Sequence, residues 1–293
     1  KQRAVQAYLE WMPVRDPVPG AAREALWRSF DFGDVATISC LESRLTGRSE
    51  EISWSAELDG VAPADIPAKV GDVLARASDP ARTMLGAEQE AWLAATLKAS
   101  TESGRPWQVL ANQVIMASVV PPNFRATLTP EQIAALPEGL ISRLVDFSTL
   151  GVPFNLDAWD GFPAARERLY GAAKAADATL VTLTGDTHTA WANPLKDMSG
   201  APRGVEFGCT SVTSPGLGSY MPIENLGELF ADANEQVAWY DPFGNGYTLL
   251  TFAADSVNAE FRKVSTIETD DYTVATVAKF RVNRDGDLER LNA

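Results

Sequence analysis

Seven short runs of apolar and β-branched residues are spaced along the chain, and turn residues bound most of them. Runs of this length and composition predict β-strands. The predicted strands span residues 35–41, 107–116, 179–184, 205–212, 247–254, 257–264 and 274–282. The first four are far apart in the sequence and the last three follow one another closely, so the two parts of the chain predict different architectures.

Helical periodicity fills the gaps between the first four runs. Residues 88–97 carry their large apolar side chains at helical spacing on one face. Thr129 before Pro130 is a typical helix start, because it places a cap residue ahead of proline at the first helical position. Further helices are predicted over 163–176 and at the start of the chain, where residues 1–11 have the pattern of a helix interior.

Strands that alternate with helices, followed by strands joined through tight turns, predict an α/β fold with an antiparallel tail. Residues 241–246, Asp-Pro-Phe-Gly-Asn-Gly, are the clearest turn signal. Residues 213–240 are rich in loop-forming residues. They have two interpretations, a mobile loop above a site or a plain surface excursion, and the sequence favours the second.

Composition and charge exclude several classes of protein. The chain has 293 residues, of which 45% are hydrophobic, so it can bury a sizeable core. Its formal net charge of −14 disfavours binding to nucleic acids or anionic membranes. No apolar run has the roughly 18 residues that predict a membrane helix, and the chain does not begin like a signal peptide. Cys40 and Cys209 are too few for a disulfide framework.

The only histidine of the chain follows one of the predicted strands. After residues 179–184, Gly185 lets the backbone turn, and Asp186 and His188 emerge on the same side of the chain. Ligands of open α/β sheets bind at the carboxyl ends of the strands. A carboxylate and a neutral imidazole are suitable ligands for Fe, Zn or Mn. The Asp-x-His spacing alone is a weak signal, and a structural histidine is the commoner case.

The number of available ligands limits what this motif can do. A metal centre that activates water needs about three or more protein ligands, and a two-metal centre needs more. Since the chain offers one imidazole, the other ligands must be carboxylates, amides, a thiolate, or groups from polypeptide absent here. A serine hydrolase that uses Asp186, His188 and a serine is disfavoured, because the two side chains point poorly toward each other and no Gly-x-Ser-x-Gly turn occurs.

Residues 184–191, Thr-Gly-Asp-Thr-His-Thr-Ala-Trp, form the fifth of six blocks that match one family's motifs in order. The other blocks are residues 41–44, 84–92, 107–114, 158–168 and 207–214. Together they resemble the motifs of the PhoD-type alkaline phosphatases of the calcineurin-like metallophosphoesterase superfamily. The final metal-binding motif of that family is Gly-Asp-Val-His followed by a small residue and Trp.

The resemblance implies that residues 1–293 are the C-terminal part of a single catalytic domain. Residues 6–15 resemble the family's segment just after its Asp-Asp-His-Glu motif, so the N-terminal half, with most metal ligands, and a small N-terminal β-domain are expected to lie upstream. The implied fold is the C-terminal half of a metallophosphoesterase-type αββα sandwich with mixed sheets.

A limited set of residues carries over from the family. Asp186 and His188 match the final motif and are implied metal ligands, either to one ion or bridging the environment of a pair of ions. Arg44 is implied either to orient the wall of the site or to form a structural ion pair. Asn112 and Gln113 are candidates for the wall of the site, although hydrogen bonds to a neighbouring loop are the better interpretation. No further catalytic residue is assigned.

The implied activity is hydrolysis of phosphomonoesters, and of phosphodiesters, by water activated at metal ions. This chain is expected to be inactive without the missing N-terminal half. Iron and calcium are the implied ions, with Zn, Mn or Mg as alternatives. The implied location is the periplasm or the exterior, after export through a twin-arginine signal. The alternative is a non-catalytic structural half that needs a separate N-terminal polypeptide as its partner to complete the metal site. In either case the substrate is a phosphate ester and no nucleic acid scaffold is bound.

Overall fold

Two β-sheets form in residues 1–17 and 20–292, which this computed structural model describes. The larger sheet has seven strands and the smaller has four. The strands of the larger sheet are β1 (Arg28–Phe32), β2 (Ala36–Cys40), β3 (Trp107–Ala111), β4 (Leu180–Thr184), β5 (Ala190–Lys196), β6 (Pro202–Gly208) and β7 (Trp239–Asp241). Those of the smaller sheet are β8 (Gly246–Phe252), β9 (Ser256–Val264), β10 (Val274–Asn283) and β11 (Leu288–Leu291).

Helices occupy three connections of the larger sheet, those from β2 to β3, from β3 to β4 and from β6 to β7. The α-helices are α1 (Gln2–Trp11), α2 (Trp54–Glu57), α3 (Ile66–Ala77), α4 (Ala87–Glu102), α5 (Phe124–Thr127), α6 (Pro130–Ala134), α7 (Leu140–Phe147), α8 (Pro163–Ala175), α9 (Leu217–Tyr220) and α10 (Leu226–Ala233). Short 3-10 turns cover Pro63–Asp65, Ser148–Leu150 and Trp159–Gly161. No helix in these residues is long and apolar enough to cross a bilayer.

The larger sheet has a parallel centre and antiparallel edges. Its strand order is β1-β2-β3-β4-β6-β5-β7. Strands β2, β3, β4 and β6 pair in parallel, while β1, β5 and β7 pair antiparallel to their neighbours. Parallel neighbours need crossover connections, which here contain α4 and α8. The carboxyl ends of the four central strands therefore meet at one edge of the sheet.

The two sheets pack face to face through an apolar core. The larger sheet contributes Val109, Val181 and Phe207. Alternate residues of the smaller sheet face them, at 257, 259 and 261 in β9 and at 278, 280 and 282 in β10. Phe261 of β9 is 2% exposed and lies edge-on to Phe207, with ring centroids 6.1 Å apart. This alternation buries one side of an antiparallel sheet.

Helices cover the opposite face of the larger sheet. Leu97 of α4, Leu169 and Tyr170 of α8 and Phe230 of α10 belong to the same buried cluster as Leu110 of β3. The described residues thus form three layers of the expected sandwich, namely helices, the larger sheet and the smaller sheet. The predicted α/β class with an antiparallel tail is confirmed.

Each of the seven predicted strands is present, although several boundaries differ. The run 107–116 forms a strand only to Ala111, and beyond it the side chains of Asn112 and Gln113 bond to loop carbonyls. Helices α1, α4, α6 and α8 match predicted helices, and the side chain of Thr129 caps α6 by accepting from the amide of Gln132. Residues 213–240 contain α9 and α10, which the loop interpretation did not predict.

Truncation of Phe261 tests the packing between the sheets. We expect Phe261→Ala to lower the free energy of unfolding by about 3–5 kcal/mol, since it removes a buried ring and leaves a cavity. The matched control is Leu249→Ala on the outer face of the smaller sheet, where the side chain is 39% exposed. Urea unfolding of both variants measures the difference, and equal losses would contradict the proposed core.

Candidate functional site

The turns that follow the parallel strands carry most residues of the candidate site. The parallel ladder extends past the strand ends, because Asn112 N donates to Leu183 O at 2.9 Å and Cys209 N donates to Thr184 O at 2.9 Å. Gly185 N reaches Gln113 O at 3.4 Å. The turns after β3, β4 and β6 are therefore hydrogen-bonded to one another at the same edge.

The turn after β4 places Asp186 and His188 in an unusual backbone conformation. Asp186 has φ 71° and His188 has φ 58°, and both side chains are exposed. Left-handed φ values in non-glycine residues cluster at functional sites, where the surrounding structure imposes them. Gly185 directly precedes the bend, as expected, but the bend does not require glycine there. Its φ is not positive and a Cβ there would meet no atom within 4 Å, so the left-handed positions belong to the candidate ligands.

Trp191 of β5 anchors this turn. Its Nε1–H lies 3.0 Å from Thr187 Oγ1 and 2.9 Å from Thr189 Oγ1, and its ring stacks on Tyr240 with centroids 3.8 Å apart. A buried indole with a satisfied N–H is a rigid support. Trp191 thus holds the turn that carries Asp186 and His188 through its indole N–H.

The loop after β6 packs directly against His188. Nδ1 of His188 lies 3.2 Å from the carbonyl oxygen of Pro215, and Thr210 Oγ1 donates to the carbonyl oxygen of His188 at 3.1 Å. A Cβ on Gly216 would stand 2.6 Å from that same oxygen of His188, so only glycine allows this approach. The start of the 213–240 segment is thus a wall of the candidate site and not a plain surface excursion.

The contact with Pro215 orients the imidazole. When Nδ1 carries the proton it donates to this carbonyl, and Nε2 is left with a free lone pair. A backbone carbonyl, and not the carboxylate of Asp186, thus bonds to Nδ1. This arrangement suits a metal ligand and does not suit the aspartate-to-histidine pair of a serine hydrolase.

Arg44 connects Asp186 to a second carboxylate. Its guanidinium lies 2.6 Å from the carboxylate of Asp157, and its Nη2 lies 3.9 Å from Asp186 Oδ1. Arg48 also binds Asp157 at 2.6 Å. The loop that carries Arg44 is fixed by buried Glu42, whose carboxylate accepts the backbone N–H of Arg44 at 2.6 Å and of two later residues. Both predicted roles of Arg44, an ion pair and a site wall, are compatible with this geometry.

Asn112 and Gln113 bond to neighbouring loops, as the favoured interpretation expects. Asn112 Nδ2 donates to Val114 O at 2.6 Å, and its Oδ1 accepts from Trp159 Nε1 at 3.3 Å. Gln113 Oε1 accepts from Ser43 Oγ at 2.7 Å, while its Nε2 donates to the carbonyl of Leu41. These amides join the turn after β3 to the loop of Arg44 and to the Trp159 turn.

Buried polar side chains fix the segment after β3 from two sides. Glu206 of β6 is fully buried, and its carboxylate accepts from Met116 N at 2.6 Å, Ala117 N at 3.1 Å and Asn193 Nδ2 at 2.7 Å. Burial raises the pKa of the Glu206 carboxyl, and the three N–H donors oppose this effect.

A buried ion pair holds the same segment from the helix side. Arg166 Nη1 lies 3.0 Å from Asp160 Oδ1 and donates to Met116 O at 2.8 Å. The other oxygen of Asp160 accepts from Val119 N at 2.9 Å. Both carboxylate oxygens of Asp160 and Nη1 of Arg166 have partners, so the buried charges compensate each other.

Asp186 and His188 fit a metal ion by the chemistry of their donors, a carboxylate oxygen and an oriented imidazole nitrogen. Across residues 1–17 and 20–292, no group of three His, Cys, Asp or Glu side chains could hold a metal ion. Two ligands do not complete a coordination shell, so water, substrate or other protein groups have to supply the remainder.

The family profile described as PhoD-like phosphatase matches residues 1–261. The chain belongs to this family. It is 28% identical over 288 residues to alkaline phosphatase D of Bacillus subtilis strain 168, a match that covers 96% of this chain and 42% of that relative. A solved structure described as "Structure of PhoD" superposes with a TM-score of 0.66 and 27% identity, over 99% of this chain and 48% of that one. The chain thus spans less than half the length of both relatives.

Sequence reasoning missed Asp157, Arg48 and Glu206. Asp157 lies next to the family's Trp-Asp-Gly block, which is the one signal that points to it. Its partner Arg44 is 113 residues away, and a single sequence gives no information on such a pairing. Glu206 is a charged residue within a predicted buried strand, and that conflict with the apolar pattern is the signal for a buried polar contact.

Glu206 makes stability depend on pH. An acid whose pKa is raised on folding contributes stability that is fully present below its unfolded pKa and is lost as pH rises through its folded pKa. We expect Glu206→Gln to lower the free energy of unfolding by about 1–3 kcal/mol. The NH₂ group of the glutamine would face N–H donors that now bond to the carboxylate of Glu206. The difference from the parent protein should shrink as pH rises above about 4.3.

Denaturant unfolding at a series of pH values measures this effect. The control is Glu289→Gln, the same change at an exposed position of β11. A difference that stays constant or grows with pH would contradict the raised pKa of Glu206.

Proposed function

We propose that this chain provides the substrate-facing edge of a metal-dependent phosphatase that hydrolyses phosphomonoesters and phosphodiesters. The observation that carries the proposal is the pair Asp186 and His188, which follows the central parallel strand β4 in a chain of the PhoD-like phosphatase family. The exposure of both side chains supports access by a substrate in solution. The name of the Bacillus relative, an alkaline phosphatase, supports the reaction class.

The chain's own residues position the reacting groups. The carboxylate of Asp186 and Nε2 of His188 would hold a metal ion, which when bound supplies positive charge for the phosphate oxygens and lowers the pKa of water. Pro215 O fixes the imidazole through Nδ1, and the Trp191 N–H fixes the turn between the two ligands. Arg44 restrains Asp186 on one side and carries positive charge toward an anionic substrate.

A local positive charge is necessary because the whole chain is strongly acidic. A formal net charge of −14 repels a phosphate ester at long range. Bound cations together with Arg44 would reverse the sign of the potential at the edge of the sheet. Iron and calcium are the ions that we propose, with Zn, Mn or Mg as alternatives, and we propose a periplasmic or secreted location.

The alternative is a non-catalytic half whose metal site is completed by a separate N-terminal polypeptide. The comparisons match a phosphatase and give no support to such a partner. The two proposals differ in a direct observable, since only the first predicts that metal content and turnover belong to a single polypeptide that carries this chain.

Substitution of the ligand pair tests the proposed function. We expect Asp186→Asn and His188→Ala each to lower kcat/KM for p-nitrophenyl phosphate by at least about 100-fold and to lower metal content, because a ligand is lost while the fold remains. The matched control is Asp177→Asn, which changes an aspartate of similar backbone conformation, φ 53°, just before β4. It should keep full activity.

Chelation provides the second arm of this test. Metal removal should abolish hydrolysis, and a serine-directed fluorophosphonate should have no effect. Full activity of the Asp186 and His188 variants, or activity that survives metal removal, would contradict the proposal.

A further inference from the structure

A cavity of about 770 Å³ opens beside the loop that binds Arg44. It lies between α2, α7 and the segment 149–157. Its volume falls within the range of about 300–1,000 Å³ that is typical of small-molecule sites. Neither Asp186 nor His188, the proposed metal ligands, lines this cavity.

Aromatic and aliphatic side chains form most of the cavity wall. Trp54, Phe147 and Phe154 supply rings, and Leu58 and Leu144 supply aliphatic surface. Trp54 is 8% exposed, donates its indole N–H to Pro153 O at 2.8 Å and packs against Phe147 with ring centroids 5.3 Å apart. This wall is therefore preorganised.

Asp157 connects the cavity to the candidate site. It is itself a lining residue, and its carboxylate binds Arg44 at 2.6 Å. The same guanidinium lies 3.9 Å from Asp186 Oδ1. One arginine side chain thus connects a residue of the cavity wall to the proposed metal ligand.

The charges of the lining argue against a second anion as the occupant. Glu51, Asp59, Asp146 and Asp157 outnumber the two arginines, Arg125 and Arg143, and Arg125 is paired with Asp146. An uncharged apolar group gains from contact with the rings and pays no electrostatic cost there.

We propose that this cavity binds the organic group of the phosphate ester, and that esters with an aromatic or bulky apolar organic group are the preferred substrate class. The proposal rests on the proposed function for the phosphate end of the substrate. Binding of the organic group depends only on the cavity, so binding of the phosphate and binding of the organic group can be tested separately.

Binding of two non-hydrolysable phosphonates to the chain tests the cavity without turnover. 1-Naphthylmethylphosphonate and methylphosphonate carry the same anionic head, and calorimetry gives a Kd for each. We expect the naphthyl compound to bind at least about tenfold more tightly, because its ring system is buried against the aromatic wall. Equal affinities would overturn the proposal.

Variants of the wall locate the bound ring. Leu58→Asp introduces a carboxylate into the cavity and should remove most of the preference for the naphthyl compound, with methylphosphonate binding unchanged. Leu144→Ala is a milder second variant that should reduce the preference by a few-fold. The matched control, Leu249→Asp, lies on the outer face of the smaller sheet and should keep the preference.

The possible outcomes distinguish a failure of the cavity proposal from a failure of the proposed function. A preference that survives both wall variants places the ring elsewhere and overturns the proposal. A tenfold preference that is lost in Leu58→Asp supports the cavity even if the chain hydrolyses no ester, and in that case the proposed function alone fails. Hydrolysis of methyl and naphthyl phosphates with equal kcat/KM would overturn the substrate preference and leave the phosphatase proposal intact.

Discussion

The parallel pairing of β2, β3, β4 and β6 is the constraint on which the rest of the structure depends. Parallel neighbours share the direction of their strands, so the segments that follow them must leave the sheet at the same edge. This is why Arg44, Asn112 and the Asp186 turn lie close together although they are distant in sequence. The smaller sheet covers one face and the helices cover the other, which leaves that edge accessible.

Buried polar contacts convert this edge into a defined site. Glu206 and the Asp160–Arg166 pair fix the segment after β3, and Trp191 fixes the turn after β4. Left-handed φ values at two non-glycine residues cost on the order of 1–3 kcal/mol each, and packing and hydrogen bonds around the turn have to offset that cost. The stack of Trp191 on Tyr240 is one such contact. The strained turn keeps the carboxylate of Asp186 and the imidazole of His188 exposed, and neither side chain packs into the core.

The strands with continuous apolar runs and the position of the ligand pair could be predicted from the sequence, because both are local patterns. Strands β1, β5 and β7 could not: β1 is an exposed edge strand, β5 mixes Asn193, Pro194 and Lys196 with apolar residues, and β7 has three residues. Side-chain pairings such as Arg44 with Asp157 depend on tertiary structure. The left-handed φ values of Asp186 and His188 are likewise not visible in the sequence, since the turn packs against a loop that is distant in sequence, at Pro215 and Gly216.

The central claim is that Asp186 and His188 bind one metal ion together, and the magnetic resonance signals of the imidazole test it most directly. His188 is the only histidine, so its ring signals need no assignment. Titration of the isotopically labelled chain with Zn²⁺ and with paramagnetic Mn²⁺ should shift the ring signals and broaden them, respectively. The effect should weaken in Asp186→Asn and persist in Asp177→Asn. Ring signals that do not change at a molar excess of either ion, or that respond equally in Asp186→Asn, would contradict the account.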